Sequence, residues 1–232
     1  MKKNILFIGG SYGIGLATAK LLAKDHNLII ASRTSENLES LNVKHVSFDA
    51  SKDDITQLDL PETLDGLVYF PGSINLKPFK MLTVESFQEE MNLNFFSLVK
   101  VVQDLLPKLK NSDQASLVFF STVAAKVGMP FHTSISAAKG AIEGFAKSLA
   151  AEYAPSMRVN VVAPSLTDTE LSKKLLSNDT KREKMGDRHP LKRVGTPEDI
   201  ANAVEFLLSE KSNWMTGQVL GIDGGLSSLN IN

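Results

Sequence analysis

The sequence predicts an α/β domain built on a doubly wound parallel sheet with helices on both faces, and three observations predict it. Short apolar runs alternate with helical patterns along the whole length. The first run passes directly into a glycine loop, Phe7-Ile8-Gly9-Gly10-Ser11-Tyr12-Gly13-Ile14-Gly15, which opens a helical stretch. The 232 residues contain no linker, repeat or low-complexity segment, so a single domain over 1–232 is expected.

Each element follows from its local pattern. Asn4–Ile8 is an unbroken apolar run, as expected of a strand buried on both faces. Ile14–Ala23 has helical spacing, and Leu28–Ala31 reads as the second strand. Glu36–Leu41 reads as a short helix before a third strand at His45–Phe48, with the fourth at Gly66–Phe70. Val84–Leu109 reads as one long helix, followed by a fifth strand at Ser116–Ser121. Ser136–Tyr153 is helical, Arg158–Val162 the sixth strand and Thr169–Leu176 a short helix. Pro197–Leu208 carries a start signal. Thr196 can cap, Pro197 suits the first helical position, and Glu198 and Asp199 complement the helix dipole. Gln218–Ile222 is the seventh strand. The polar stretch Ser177–Arg188 reads either as a solvated helix or loop or, with its flanks, as a substrate lid over about 171–193.

Composition excludes several classes. The net charge of −1 gives no electrostatic footprint for nucleic acid or anionic membrane. No apolar run approaches the ~20 residues of a membrane span, and Ile5 to Ile8 is too short for a signal-peptide core. A cytoplasmic location is therefore expected by default. Cysteine is absent, and His26, His45, His132 and His189 show no ligand spacing, so no metal site is expected.

Glycines 9, 13 and 15 form G-x3-G-x-G. Such glycines allow a sharp turn and let backbone N–H groups approach a pyrophosphate, while the following helix points its positive end at the phosphates. An acidic residue at the end of the second strand would take a ribose 2′-hydroxyl and favour NAD. Ser32, Arg33 and Thr34 stand there instead, a cation with two hydroxyls, suited to a 2′-phosphate. NADP(H) is expected over NAD(H); the plain alternative is that Arg33 is a solvated surface charge.

From Asn4 to Gly225 the chain resembles the short-chain dehydrogenase/reductase family, whose fold is a single Rossmann-type domain. The glycine loop resembles the family's T-G-x3-G-x-G, with Ile8 in place of threonine. Phe48-Asp49-Ala50-Ser51 resembles the D-V-[ST] segment, and Leu67 to Gly72 occupies the place of N-N-A-G, of which only Gly72 remains. Met91-Asn92-Leu93 resembles the asparagine segment of the long helix. Val161 to Thr169 resembles the P-G segment that holds the nicotinamide carboxamide, and Thr216 to Gly225 resembles the closing strand. The resemblance implies cofactor contacts from Gly9, Ser11, Tyr12, Gly13, Ile14 and Gly15. Further contacts are implied from Ser32, Arg33, Thr34, Asp49, Ala50, Gly72, Lys139, Pro164, Thr167 and Thr169.

Reductases of this family use asparagine, serine, tyrosine and lysine. The resemblance carries the asparagine role to Asn92, the serine slot to Thr122 and the lysine to Lys139. The tyrosine slot, four residues before Lys139, holds Ile135, which cannot donate a proton. His132 stands seven before the lysine, where the enoyl reductase branch carries its tyrosine, and is the candidate acid. Its alternative is a loop residue satisfied by backbone or water. Tyr69 is expected to pack near the cofactor rather than protonate substrate.

The leading expectation is an NADP(H)-dependent oxidoreductase acting on a small organic substrate, a carbonyl or an activated C=C, with a non-standard proton donor. Two alternatives stay open: a catalytically silent NADP(H)-binding sensor or partner subunit, and a lyase or isomerase on the same scaffold. A homodimer or homotetramer is expected, with Phe95, Phe96, Phe145 and Leu149 available for a seam between subunits unless they face the sheet.

Overall fold

The computed structural model describes residues 2–230. Seven parallel strands form one sheet in the order β3-β2-β1-β4-β5-β6-β7. They are β1 (Asn4–Ile8), β2 (Asn27–Ser32), β3 (Lys44–Ser47), β4 (Gly66–Tyr69), β5 (Ala115–Phe120), β6 (Met157–Pro164) and β7 (Val219–Ile222). The α-helices are α1 (Gly13–Leu22), α2 (Val84–Met91), α3 (Ser97–Lys110), α4 (Val123–Lys126), α5 (Thr133–Tyr153), α6 (Asp179–Asp187) and α7 (Pro197–Leu208).

The apolar strands are covered on both faces because successive side chains point to opposite sides. Leu6 and Ile8 of β1 join a core with Leu98 and Val102 of α3 and Ile142 of α5. Their neighbours Ile5 and Phe7 join a second core with Leu22 of α1 and Val204 and Leu207 of α7. Strand β1 pairs with β2 on one side and β4 on the other. The winding direction therefore reverses at β1, and the carboxyl ends of β1 and β4 flank the crevice where such sheets bind ligands.

Three expected elements differ. Glu36–Leu41 forms turns rather than a helix. Thr169–Leu176 contains only a 3-10 turn at Glu170–Ser172, whereas the polar stretch beyond it supplies helix α6. The expected single helix Val84–Leu109 is interrupted by a π turn at Asn92–Phe96, where the Ser97 N–H reaches the Asn92 carbonyl. The Ser97 hydroxyl donates to the same carbonyl at 2.7 Å. A π turn inserts a residue and rotates the helix face after it. Of the four residues considered for a subunit seam, Leu149 lies in the core, and Phe95 and Phe145 pack edge to face at 5.9 Å. Phe96 alone of them is exposed.

Arg158 on β6 is buried and holds the far end of α7. Its Nη2 donates to the Leu207 carbonyl at 3.0 Å and its Nη1 to the Ser212 carbonyl and hydroxyl at 3.0 Å. Both carbonyls also have other donors, the Ser116 and Ser212 hydroxyls for Leu207 and the Met215 N–H for Ser212, so the guanidinium adds to a shared network. Arg158→Met keeps much of the side-chain volume and removes the charge-assisted bonds, at a cost of about 1–3 kcal/mol. The expected result is a melting temperature lower by roughly 2–12 °C in a thermal scan; an unchanged melting temperature would show that the clamp contributes nothing.

Candidate active site

The glycine loop leaves β1 with Gly9 at φ 76° and enters α1 with Gly13 at φ 51°, both in the left-handed region. A Cβ on Gly15 would lie 2.3 Å from the Gly10 Cα, so the loop closes on itself only with glycine there. Helix α1 has no side-chain cap and no acid in its first turn. Its first N–H groups and its dipole are thus left for an anion.

At the end of β2 the outcome is divided. Arg33 is exposed and has no carboxylate partner among the described residues. Ser32 is buried; its hydroxyl donates to the Thr34 carbonyl at 2.8 Å and meets His45 Nε2 at 3.2 Å. The expected offer of a Ser32 hydroxyl to a 2′-phosphate is therefore corrected, because the turn consumes it. Thr34 and Ser11 join through their hydroxyls at 2.9 Å, which fastens the glycine loop to the β2 end. Asp49 accepts from the Ser51 hydroxyl at 2.6 Å and its N–H at 3.0 Å. Those bonds hold its carboxyl below the usual carboxylate range.

A cavity of about 370 Å³ opens beside the loop. It brings together Tyr12, Gly13, Ile14, Gly15, Gly72, Thr122, His132, Ile135, Lys139, Pro164, Thr167 and Thr169. Leu171, Leu175, Met185 and Arg188, from the segment read as a lid, complete a largely apolar wall. Thr122 Oγ1 accepts from the Ala124 N–H at 3.3 Å, an N-cap contact that leaves its hydroxyl hydrogen free to donate. Ile135 is buried one helical turn before Lys139, so an apolar group flanks the lysine. Lys139 is 6% exposed, and its ammonium makes no side-chain hydrogen bond or ion pair among the described residues. Burial pushes that ammonium down to about 8, with the Glu90 carboxylate opposing the shift.

The asparagine assignment is corrected. Asn92 is exposed, and Asn94, four residues after buried Glu90, is the asparagine that faces inward. Asn94 is fully buried, and its Nδ2 donates to the Glu90 carbonyl at 2.9 Å, to Glu90 Oε2 at 3.0 Å and to Ser73 Oγ at 3.2 Å. A Cβ on Gly72 would sit 3.4 Å from Asn94 Oδ1 and 3.3 Å from Lys139 Nζ, so Gly72 keeps the gap between these two groups open.

His132 Nδ1 meets the Pro130 carbonyl at 2.7 Å, so that nitrogen carries the hydrogen and Nε2 has no partner among the described residues. Tyr69 is buried, donates to the Leu93 carbonyl at 3.1 Å and has its phenol pushed up by burial, which removes it as an acid. Sequence reasoning missed Glu90, Asn94 and Ser73, as well as Ser165 with His189. His189 is buried; its Nδ1–H donates to the Met185 carbonyl at 2.9 Å and its Nε2 accepts from the Ser165 hydroxyl at 2.8 Å. That pair fastens the chain after α6 to the end of β6. No group of acidic and histidine side chains suited to a metal occurs among the described residues, and no helix there is long and apolar enough to cross a membrane.

Fold, loop and lysine together define a nicotinamide-dependent class of oxidoreductase, and the chain belongs to the short-chain dehydrogenase/reductase family. A family model described as enoyl-(acyl carrier protein) reductase matches residues 9–227. The 3-oxoacyl-[acyl-carrier-protein] reductase FabG of Thermotoga maritima is 34% identical, with 97% of each chain covered. The FabG of Chlamydia trachomatis is 31% identical, with 98% of each covered. Among solved structures, ElxO with NADP bound superposes with a TM-score of 0.88 at 27% identity, covering 99% of this chain and 100% of the other.

Proposed function

We propose that this chain is an NADP(H)-dependent oxidoreductase that moves hydride to or from a small organic substrate, a carbonyl or an activated C=C, without a tyrosine acid. The observation that carries the reading is one cavity holding a phosphate-type glycine loop, an unpartnered Lys139 and a free Thr122 hydroxyl, with Ile135 beside the lysine. The residues fit a dinucleotide: the α1 amides suit the pyrophosphate, Arg33 a 2′-phosphate, Asp49 the adenine end, and Lys139 the ribose hydroxyls beside the nicotinamide. Bound cofactor would supply the hydride.

The substrate follows from what the wall lacks. Reduction of an isolated ketone creates a strongly basic alkoxide, which needs a firm proton donor. Hydride addition to an enone creates an enolate, which donors such as Thr122 and Lys139 stabilise electrostatically. The apolar residues of segment 171–193 form a lid over such a substrate. His132 stands in reserve as the acid in its imidazolium form, in which Nε2 also carries a hydrogen. Its part is tested by His132→Gln: loss of most enone reduction with NADPH binding kept assigns it the acid role, and an unchanged rate removes it. We place the protein in the cytoplasm as a homodimer or homotetramer, with exposed Phe96 at the seam.

Arg33→Asp tests the cofactor reading. The unmodified chain binds NADPH more tightly than NADH by fluorescence titration, and the variant reverses the order by roughly 10-fold or more in the affinity ratio. Equal affinities in the unmodified chain would contradict the assignment.

The second reading, a cofactor-holding sensor or partner subunit, is favoured by Ile135 alone. It gains if NADPH binds and no enone, ketone or alcohol in a panel changes absorbance at the nicotinamide band. A lyase or isomerase would form product with no net cofactor consumption.

A further inference from the structure

Glu90 is a buried acid close to the cavity residues Gly72, Ser73 and Lys139, and nothing derived so far uses it. It is 4% exposed, on the last turn of α2 before the π turn. One carboxylate oxygen accepts from the Ser73 hydroxyl at 2.5 Å and from Asn94 Nδ2 at 3.0 Å. No cation forms an ion pair with it among the described residues. A buried carboxylate with only neutral donors is costly unless an opposite charge lies near.

Lys139 is the matching orphan. Its ammonium lies on the other side of Asn94, and Asn94 Oδ1 is a buried acceptor with no partner. Through the Gly72 gap both atoms approach the same point, 3.3 Å from Lys139 Nζ and 3.4 Å from Asn94 Oδ1. The amide is therefore oriented with its NH2 on Glu90 and its oxygen towards the lysine. Burying two opposite charges around one polarised amide lowers the cost of each.

We propose that Glu90 is the positioning counter-charge of Lys139, acting through Asn94, and that with Ile135 in the tyrosine slot this pair holds the exchangeable proton of the site. In the reduction direction one N–H bond of Lys139 breaks and one O–H bond forms on the product, as its carbon takes the hydride. Solvent returns the proton to the lysine. The inference rests on the reading of the cavity as a nicotinamide site.

The charged groups around Lys139 leave Glu90 as its controlling neighbour. Glu143, one turn further along α5, is taken by the Ser121 hydroxyl at 2.5 Å. His132 is turned to the Pro130 carbonyl, and Glu170 on the far wall pairs with Lys173. Arg188 lies on that same wall. Burial alone pushes the ammonium down and Glu90 pulls it back up, giving a value of about 8.

The test is NADPH affinity against pH in the full chain and three variants. The charged ammonium donates to ribose hydroxyls, so wild-type affinity falls as pH rises through about 8. In Glu90→Gln, which keeps the shape and removes the charge, that midpoint moves down by roughly 1 pH unit or more. In Glu90→Asp, which keeps the charge, it stays nearer the wild-type value. In Lys139→Met the affinity is weak and flat across the window. A wild-type midpoint in Glu90→Gln, or a Glu90→Asp midpoint displaced as far as that of Glu90→Gln, overturns the proposal. So does a transition surviving in Lys139→Met.

Calorimetry covers the case in which Glu90→Gln does not fold. With buffers of different ionisation enthalpy near the midpoint, wild type takes up a fraction of a proton on binding NADPH and Lys139→Met takes up none; equal counts overturn the proposal. If NADPH does not bind the wild type at all, the nicotinamide reading itself has failed, a result distinct from binding without a Glu90 effect.

Discussion

Gly15→Ala is expected to weaken NADPH binding by roughly 10–100-fold while leaving the chain folded. The added Cβ would meet the Gly10 Cα at 2.3 Å, a contact with backbone rather than with a side chain that can turn away. Either the loop or the start of α1 must shift. Overpacking of this kind costs about 1–3 kcal/mol, and each 1.4 kcal/mol is about tenfold in Kd. The free loop can relax outward, whereas a pyrophosphate needs the α1 amides where they are, so the cost falls on binding. Gly140→Ala is the control. It lies on α5 with no atom within 4 Å of the added Cβ, so NADPH affinity is unchanged. Fluorescence titration of both variants makes the comparison, and equal affinity in Gly15→Ala would show that the loop does not hold the phosphates.

Ile135→Tyr is expected to raise the rate of ketone reduction. A positioned general acid contributes roughly 10²–10⁴ in rate. The rest of the arrangement stands ready: Lys139 one turn along the same helix face, and the Thr122 hydroxyl on the same cavity wall. Ile135 lines a cavity of about 370 Å³, which has room for a phenol ring. The nearby ammonium would stabilise the phenolate and lower the phenol's pKa. The check is NADPH oxidation with simple ketones, unmodified chain against variant. Equal rates would mean that the proton already arrives by another route.

The sheet was legible because its strands are continuous apolar runs and its first turn carries three spaced glycines. Lys139, Thr122 and Ile135 were legible through the family resemblance, whose fixed spacings carry the lysine, serine and tyrosine slots onto them. Asn92 was assigned two residues too early, in a segment that holds a second asparagine, Asn94. The resemblance matches residue type along the segment, whereas Asn94 and not Asn92 stands four residues from buried Glu90 on one helix face. Glu36–Leu41 has helical composition, but as a short segment it gains few hydrogen bonds against the cost of nucleation, and it stays as turns. Ser32 was read as a ligand because residue type does not reveal a hydroxyl consumed by its own turn. Glu90 gave no signal at all. In Glu89-Glu90 only helix rotation decides that the first faces solvent and the second the buried Asn94.

The most direct test of the central claim is a crystal structure of the chain with NADPH. The account predicts the pyrophosphate over the first turn of α1 and the 2′-phosphate within about 3.2 Å of Arg33. Lys139 should lie on the nicotinamide ribose, with Ile135 rather than any phenol beside the nicotinamide ring. A dinucleotide bound away from Gly13 and Lys139, or a tyrosine side chain moved to hydrogen-bonding distance of the hydride-accepting position, would contradict it.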